Sequence, residues 1–224
     1  MLNHAHAHAH VNHRFYQVES IFLGRRDFHE MDEFQKKKIK EIKSSNRVQI
    51  FGMDFNSTIT LGLRARRETD LVTNENLPIV STDRGGFATI HSPGQLVIYP
   101  MIDLRSFDLG IKKFIDILFS TSQDILKFYG MTSFFDIQKP GLYTEKGKIS
   151  FVGIKVDQGV VRHGISINIS NDLELFKLIR SCGISCQAHD RVANYNLKAT
   201  FPMEDFFQKW VEAFKINLDF NISK

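Results

Sequence analysis

Only two cysteines occur in the 224 residues, and both sit in one short stretch, "LIRSCGISC", Leu178 to Cys186. A free cysteine is among the most often buried residue types, so an inert core thiol is one reading of Cys182. A metal site is poorly supported. Cys182 and Cys186 have only His189 nearby, and no second pair of ligands follows. A nucleophile is the third reading. It needs a cation or base close by, because an ordinary thiol is only a few per cent ionised at neutral pH. Lys146, Lys148, Lys155, His91, His163 and His189 are the candidates. Of these, Lys148 opens the strand-like run "KISFVGIKV", and a strand end facing a pocket is a plausible station for a working lysine. Residue types alone leave the inert thiol and the nucleophile both open, and nothing in spacing brings Lys148 to Cys182.

Two further stretches could shape a ligand site. In "TDRGGFATIHSPGQL", Thr82 to Leu96, the Arg84-Gly85-Gly86 triplet lets backbone approach a ligand closely, and His91 stands just before a turn. Two glycines and a Pro-Gly turn are equally a hairpin signature. "RHGISI", Arg162 to Ile167, is a weaker signal of the same kind.

The elements that must position these residues follow from periodicity and turn chemistry. Asp27 to Ile42 has the apolar spacing of a helix. "NRVQIFGMDF" reads as a strand, and "STITLGLRA" as its continuation after a turn. "LPIVSTDRGG" is a short strand ending in glycines, and "FATIHSPGQLVIYPMIDL" is strand, tight turn at Pro93-Gly94, strand. "GIKKFIDILFSTSQDILKFYG" is the clearest helix, closed by Gly130. A β-meander follows over "GLYTEKGKISFVGIKVDQGVVRHGISINI", with turns at Glu145-Lys146-Gly147 and Asp157-Gln158-Gly159. Asn171 or Asp172 caps a short helix, Leu173 to Ile179, and a last amphipathic helix spans about Met203 to Phe214. Strands in runs with helices between them predict an α+β fold with a mixed β-sheet packed by helices.

Composition narrows the function classes. Hydrophobic residues make up 42% and charged residues 24%, ordinary for a soluble domain. No apolar run is long enough to span a membrane, and the start lacks the apolar stretch of a secretory signal. Two cysteines are too few for a disulfide scaffold, so a reducing cytoplasm is expected. The net charge of +4 is too small to indicate a nucleic-acid binder. The basic run "KKKIKEIK", Lys36 to Lys43, is either a solvated helix face or an attractor for acidic partners. Twenty phenylalanines supply apolar area for a core and a pocket. "HAHAHAH", His4 to His10, has nothing to bury, so residues 1–14 are expected to be a disordered His-rich tail before one domain over 15–224.

Four segments in order, "RGGFATIHSPGQL", "PGLYTEKGKISFVGIKV", "RHGISINIS" and "SCGI", resemble the ordered blocks of the lipoyl(octanoyl) transferases: "RGG…T.HGPGQL", "PGVY…KIA.IG", "HG.ALN" and "PCGI". The resemblance runs from Arg84 to Cys182 without a gap. Upstream, "LGRRDFHEMDEFQ" is similar to the family's entry helix and "ITLGLRA" to its "YTLGR" strand. The resemblance implies the biotin/lipoate ligase-like single-domain fold. It implies transfer of an octanoyl group from octanoyl-acyl carrier protein, through a cysteine thioester, to a lysine of a lipoyl domain. Acceptors would be the lipoyl domains of 2-oxoacid dehydrogenase complexes or the glycine cleavage H protein.

Carried over by residue, Cys182 would be the nucleophile and Lys148 the partner that lowers its pKa. Arg84, Gly85, Gly86, Phe87, Ala88, Thr89, Ile90 and His91, with Phe151, Val152 and Gly153, and Gly164, Ile165 and Ser166, would line the substrate pocket. No cofactor or metal is implied, no nucleic-acid or membrane partner is expected, and the chain would act as a monomer. An ATP-dependent lipoate ligase on the same fold and a cysteine thioesterase are the alternatives. Ser92, Ser181, Leu63 and the "DFNS" of Asp54 to Ser57 depart from the family pattern, and none of them removes a catalytic group.

Overall fold

The computed structural model describes residues 16–72, 77–180, 188–195 and 202–222. The expected tail over residues 1–14 lies outside them, as do Cys182 and Cys186. Among the described residues, ten strands form two sheets. In chain order they are β1 (Gln17–Arg26), β2 (Arg47–Phe55), β3 (Thr58–Leu61), β4 (Ile79–Ser81), β5 (Ala88–His91), β6 (Gln95–Met101), β7 (Phe134–Phe135), β8 (Leu142–Thr144), β9 (Gly147–Asp157) and β10 (Val160–Asn168). The large sheet runs β1-β2-β6-β10-β9-β8-β7, and the small one β4-β3-β5. Both are mixed, with β1 parallel to β2 and β4 parallel to β3, the other pairs being antiparallel.

Side-chain alternation along the central strands sorts residues to two faces. On β2, Val48 and Ile50 face one core, while Phe51, Met53 and Phe55 face another. The helices are α1 (Phe28–Ile42), the short α2 (Arg67–Asp70), α3 (Ile111–Phe128) and α4 (Met203–Ile222), and the first core is closed by α3 and α4. Trp210 of α4 sits there fully buried, its indole N–H donating to the Ser122 hydroxyl of α3 at 2.9 Å. The second face is covered by α1 (Phe28–Ile42), whose Phe28, Met31, Ile39 and Ile42 pack on it. Asp27 caps α1 by accepting the Glu30 N–H.

Three sequence expectations need correction. β3 does not continue β2 in the same sheet, because it pairs with β4 and β5 instead. β5 and β6 are both strands but not a hairpin. The turn between them is pinned from outside: Gly94 N–H donates to Asp54, the Gly94 carbonyl accepts from Ser170, and the chain crosses from one sheet to the other. The last helix reaches Ile222 rather than Phe214.

The β9–β10 turn is as expected: Gln158 and Gly159 have φ of 52° and 96°, the left-handed pair of a two-residue hairpin. The basic stretch lies on the outer side of α1. There Lys36 pairs with Asp32 and Glu33, Lys38 pairs with Glu41, and Lys43 reaches Gln158, so much of its charge is met locally. No helix among the described residues is long and apolar enough to cross a membrane.

Candidate active site

Lys148 stands one residue inside β9, just past the β8–β9 turn, with 1% of its surface exposed. Its ammonium donates to the carbonyl oxygen of Pro140 at 2.9 Å and lies 5.0 Å from the Phe151 ring centre and 5.5 Å from that of Tyr143. Gly141 makes room for it: a Cβ built there would fall 2.3 Å from Lys148 Cε and 2.7 Å from the Ser150 carbonyl oxygen. The "PG" of "PGLY" therefore serves Lys148 directly, Pro140 as acceptor and Gly141 as clearance.

The backbone of Lys148 is engaged as well. Its N–H donates to Ala188 and its carbonyl accepts from Asp190, both at 2.9 Å, so 188–190 lies along the strand as a short parallel bridge. Fully buried Asp190 locks that bridge. One carboxylate oxygen accepts from the Thr144 and Tyr195 hydroxyls, the other from the Arg191 N–H and the Asn194 amide, and Asn168 donates to the Asp190 carbonyl. Burial alone would raise the Asp190 pKa, but these donors outweigh it and hold the carboxyl below its ordinary value.

A cavity of about 320 Å³ opens beside Lys148. Of the residues singled out from sequence, Arg84, Gly86, Phe87, Ala88, Thr89, His91, Phe151, Val152, Gly153, Gly164, Ile165 and Ser166 line it, together with Lys148. Gly85 and Ile90 do not. The Gly85 N–H is spent on the Ile154 carbonyl at 3.0 Å, and Ile90 points into the core of the small sheet. Arg84 turns its guanidinium inward, donating to the Thr60 carbonyl and hydroxyl and to Gly85. Gly153 and Gly164 admit close neighbours. A Cβ on Gly153 would meet Gly85 O and Arg84, and one on Gly164 would fall 2.1 Å from Ile98 O.

Phe28, Arg64, Val97, Tyr99, Ile137, Gln138, Lys139, Pro140 and His163 complete the lining. Of these, only His163 is a candidate from the sequence, as a base for the cysteine; the others have no site role there. Phe28 carries only a helical-stripe signal, and the segment 137–140 only its place within the "PGLY" block.

Two of the histidines considered as bases, His91 and His163, are neutral. Burial pushes the His91 imidazole down to about 3, against a Gln95 hydrogen bond and helped by the Arg84 charge. Gln95 is oriented by donating to Asn168 and Ile90, so its oxygen faces His91 Nδ1 at 2.6 Å and Nδ1 carries the proton. Burial also lowers His163, helped by the Arg162 charge and against the hydrogen bond to Asp83 and the nearby Asp32 carboxylate. Asp32, Asp83 and His163 could by spacing hold a metal ion, but the buried Arg162 guanidinium already supplies the positive charge there. Consecutive residues Arg162 and His163 reach the same acids, which a regular strand forbids. The left-handed backbone of His163, φ 57°, permits it. Phe28 lies flat against both imidazoles, 5.7 Å from His91 and 6.5 Å from His163 between centroids. Lys146 points away, to the Asn194 carbonyl.

Residues 29–215 match the lipoyl protein ligase A/B catalytic domain family. The chain belongs to that family, among its octanoyltransferases. It is 38% identical over 166 residues to the octanoyltransferase of Alkalilimnicola ehrlichii, covering 74% of this chain and 77% of the relative. It is 33% identical to that of Halorhodospira halophila, covering 84% and 85%. Solved structures share the fold at low identity. A putative lipoate protein ligase of T. acidophilum with bound lipoic acid gives a TM-score of 0.74 at 11% identity, covering 90% of this chain and 86% of that one. Lipoate-protein ligase A bound with ATP gives 0.74 at 10%, covering 91% and 85%. The expected biotin/lipoate ligase-like architecture is thus the observed one, in an acyltransferase of the octanoyltransferase type.

Proposed function

We propose that this octanoyltransferase takes its acyl group from octanoyl-acyl carrier protein and passes it to a lysine of a lipoyl domain, through a thioester on Cys182. The observation that carries this reading is a buried lysine at the edge of a largely apolar cavity, with its backbone bonded to the segment that follows Cys182 in sequence. Ala188 is six residues beyond Cys182. A span of that length covers at most roughly 20 Å of chain, so a contact between Cys182 and Lys148 is within reach of the chain.

In the first step the Cys182 thiolate attacks the donor carbonyl, the carrier's C–S bond breaks, and the carrier leaves as its thiolate. In the second, the acceptor amine attacks the enzyme thioester, an amide forms, and Cys182 leaves as thiolate. A positive charge 4 Å away at an effective dielectric of 20 is worth about 4 kcal/mol, roughly three pKa units, as an upper figure. Even half of that makes a thiol substantially ionised at neutral pH. The Lys148 ammonium would protonate the departing carrier thiolate, and the neutral amine so formed would then take the proton that the acceptor nitrogen loses.

Thioester exchange is nearly isoenergetic and amide formation from a thioester is downhill, so the reaction requires no nucleotide. Backbone N–H groups of Arg84 to Gly86 or of Gly183 would be the donors to the tetrahedral oxyanion; within the triplet, Arg84 N–H bonds Thr82 and Gly85 N–H bonds Ile154, which makes Gly86 its candidate. Such a donor system belongs in the cytoplasm with its carrier protein.

The test is transfer from purified octanoyl-carrier protein to a lipoyl domain without ATP. Transfer that proceeds, and does not respond to added ATP, supports the reading. Dependence on ATP and free octanoate would move the chain to the ligases, and release of octanoate with no acceptor modified would make it a thioesterase.

A further inference from the structure

A second cleft, about 560 Å³, opens next to the acyl cavity, and the two share Arg64 and Phe87. Its walls carry three guanidinium groups, from Arg64, Arg66 and Arg180. None of the three has a carboxylate ion-pair partner among the described residues. One acid, Asp70, also lines the cleft, but it is buried and its oxygens accept from the Arg66 N–H at 3.1 Å and the Thr69 hydroxyl at 3.2 Å.

The arginines are brought together by backbone bonds between distant segments. Arg64 N–H donates to Gly86, Arg180 N–H to Asp70, and Val72 N–H to Leu178. Arg64 is further steadied over the Phe87 ring, 4.6 Å from its centre. Three exposed cations lining one cleft, against a single buried and hydrogen-bonded acid, suit an anion, and guanidinium groups fit the oxygens of a phosphate.

We propose that this cleft binds the phosphodiester of the donor's 4′-phosphopantetheine arm while the thioester sits beside Lys148. The proposal rests on the acyl-carrier donor argued above. Reach agrees with it. Gly85, two residues before the Phe87 that the two clefts share, packs on Gly153, five residues along β9 from Lys148, which is about 16 Å of strand. The arm between phosphorus and sulfur, at peptide-like bond spacing, extends roughly 15 Å.

The experiment compares two protein-free donors, octanoyl-pantetheine and octanoyl-4′-phosphopantetheine, by kcat/KM for transfer to a lipoyl domain. It uses the wild-type chain and the Arg66→Gln/Arg180→Gln variant, both positions being exposed. The wild type should prefer the phosphorylated donor by about tenfold or more, and the ratio should fall toward one in the variant. Equal use of the two donors by the wild type, or a preference that survives in the variant, overturns the proposal and leaves the octanoyltransferase reading standing. If the variant is impaired only with the intact carrier protein, the cleft meets the carrier's acidic surface and the phosphate assignment is overturned. No transfer from either donor would overturn the donor reading, and this proposal with it.

Discussion

The backbone N–H of Lys148 donates to the carbonyl oxygen of Ala188, and the same lysine's carbonyl accepts from Asp190. Two sequence-distant segments are thereby fixed to one another at the lysine itself. Asp190 keeps them so, because its carboxylate accepts from four donors on two segments. Asp190→Asn replaces one acceptor oxygen by a donor, leaving two hydroxyls or two N–H groups badly met. It should cost about 1–3 kcal/mol of stability and slow formation of the octanoyl-enzyme at saturating donor. Urea midpoints and single-turnover acylation rates check both, and a stable variant with the wild-type acylation rate would remove Asp190 as a positioning residue.

Gly141 offers a sharper perturbation of the same lysine. Gly141→Ala places a methyl against Lys148 Cε and the Ser150 carbonyl oxygen. Acylation should fall by roughly a hundredfold, as expected when a reacting group is misplaced by about 1 Å. Gly130→Ala is the control. Its φ of 76° makes alanine unfavourable by about 1 kcal/mol, but no atom stands in the way. It should lose a little stability and no activity. Equal activity losses in the two variants would contradict the steric account.

Lys148 itself is tested by two substitutions that separate charge from proton transfer. Lys148→Ala should move the alkylation pKa of the nucleophilic cysteine up toward about 8.5, and raised pH should restore part of the acylation step. Lys148→Arg keeps the charge but cannot act as a base. It should permit some acylation and leave amide formation poor. Iodoacetamide reactivity against pH, beside the rate of each half-reaction, reads this out. Identical alkylation profiles in all three proteins would reject Lys148 as the activator.

The site's reading from sequence had a clear limit. Strands β2, β6 and β8 to β10 and helices α1 and α3 show in their alternation, turn residues and caps. β1 does not, because it is an edge strand with no fully buried residue, and its pattern is correspondingly weak. The pairing of β5 with β3 rather than β6 is decided by contacts from Asp54 and Ser170, which no local signal contains. Its place at the start of a strand-like run makes Lys148 a plausible working lysine, but only the family resemblance pairs it with Cys182. Phe28, Tyr99 and Pro140 come to the cavity from separate elements, so their role is a property of the fold. The left-handed backbone at His163 is likewise set by its surroundings, where Gln35 receives its N–H and Asp83 its ring.

The buried histidines give a pH dependence of definite sign. His91 and His163 have folded pKa values below their ordinary one, so the unfolded chain binds more protons beneath about pH 6.5. Stability is therefore full above that pH and falls as the solution is acidified toward the folded values. Between pH 7.5 and 5.0, His91 alone should cost about 2 kcal/mol, and His163 adds in the same direction. Asp83 and Asp190, held below their ordinary value of 3.8, act only at lower pH. Urea unfolding at the two pH values should show a smaller difference for His91→Gln than for wild type, and equal differences would contradict burial of a neutral His91.

The central claim is that Cys182 carries the acyl group. Intact mass of the protein after incubation with octanoyl-carrier protein, without acceptor, tests it most directly. The wild type and Cys186→Ala should each gain one octanoyl increment, and Cys182→Ala should gain none. An increment retained in Cys182→Ala and lost in Cys186→Ala, or absent from the wild type, would contradict the account.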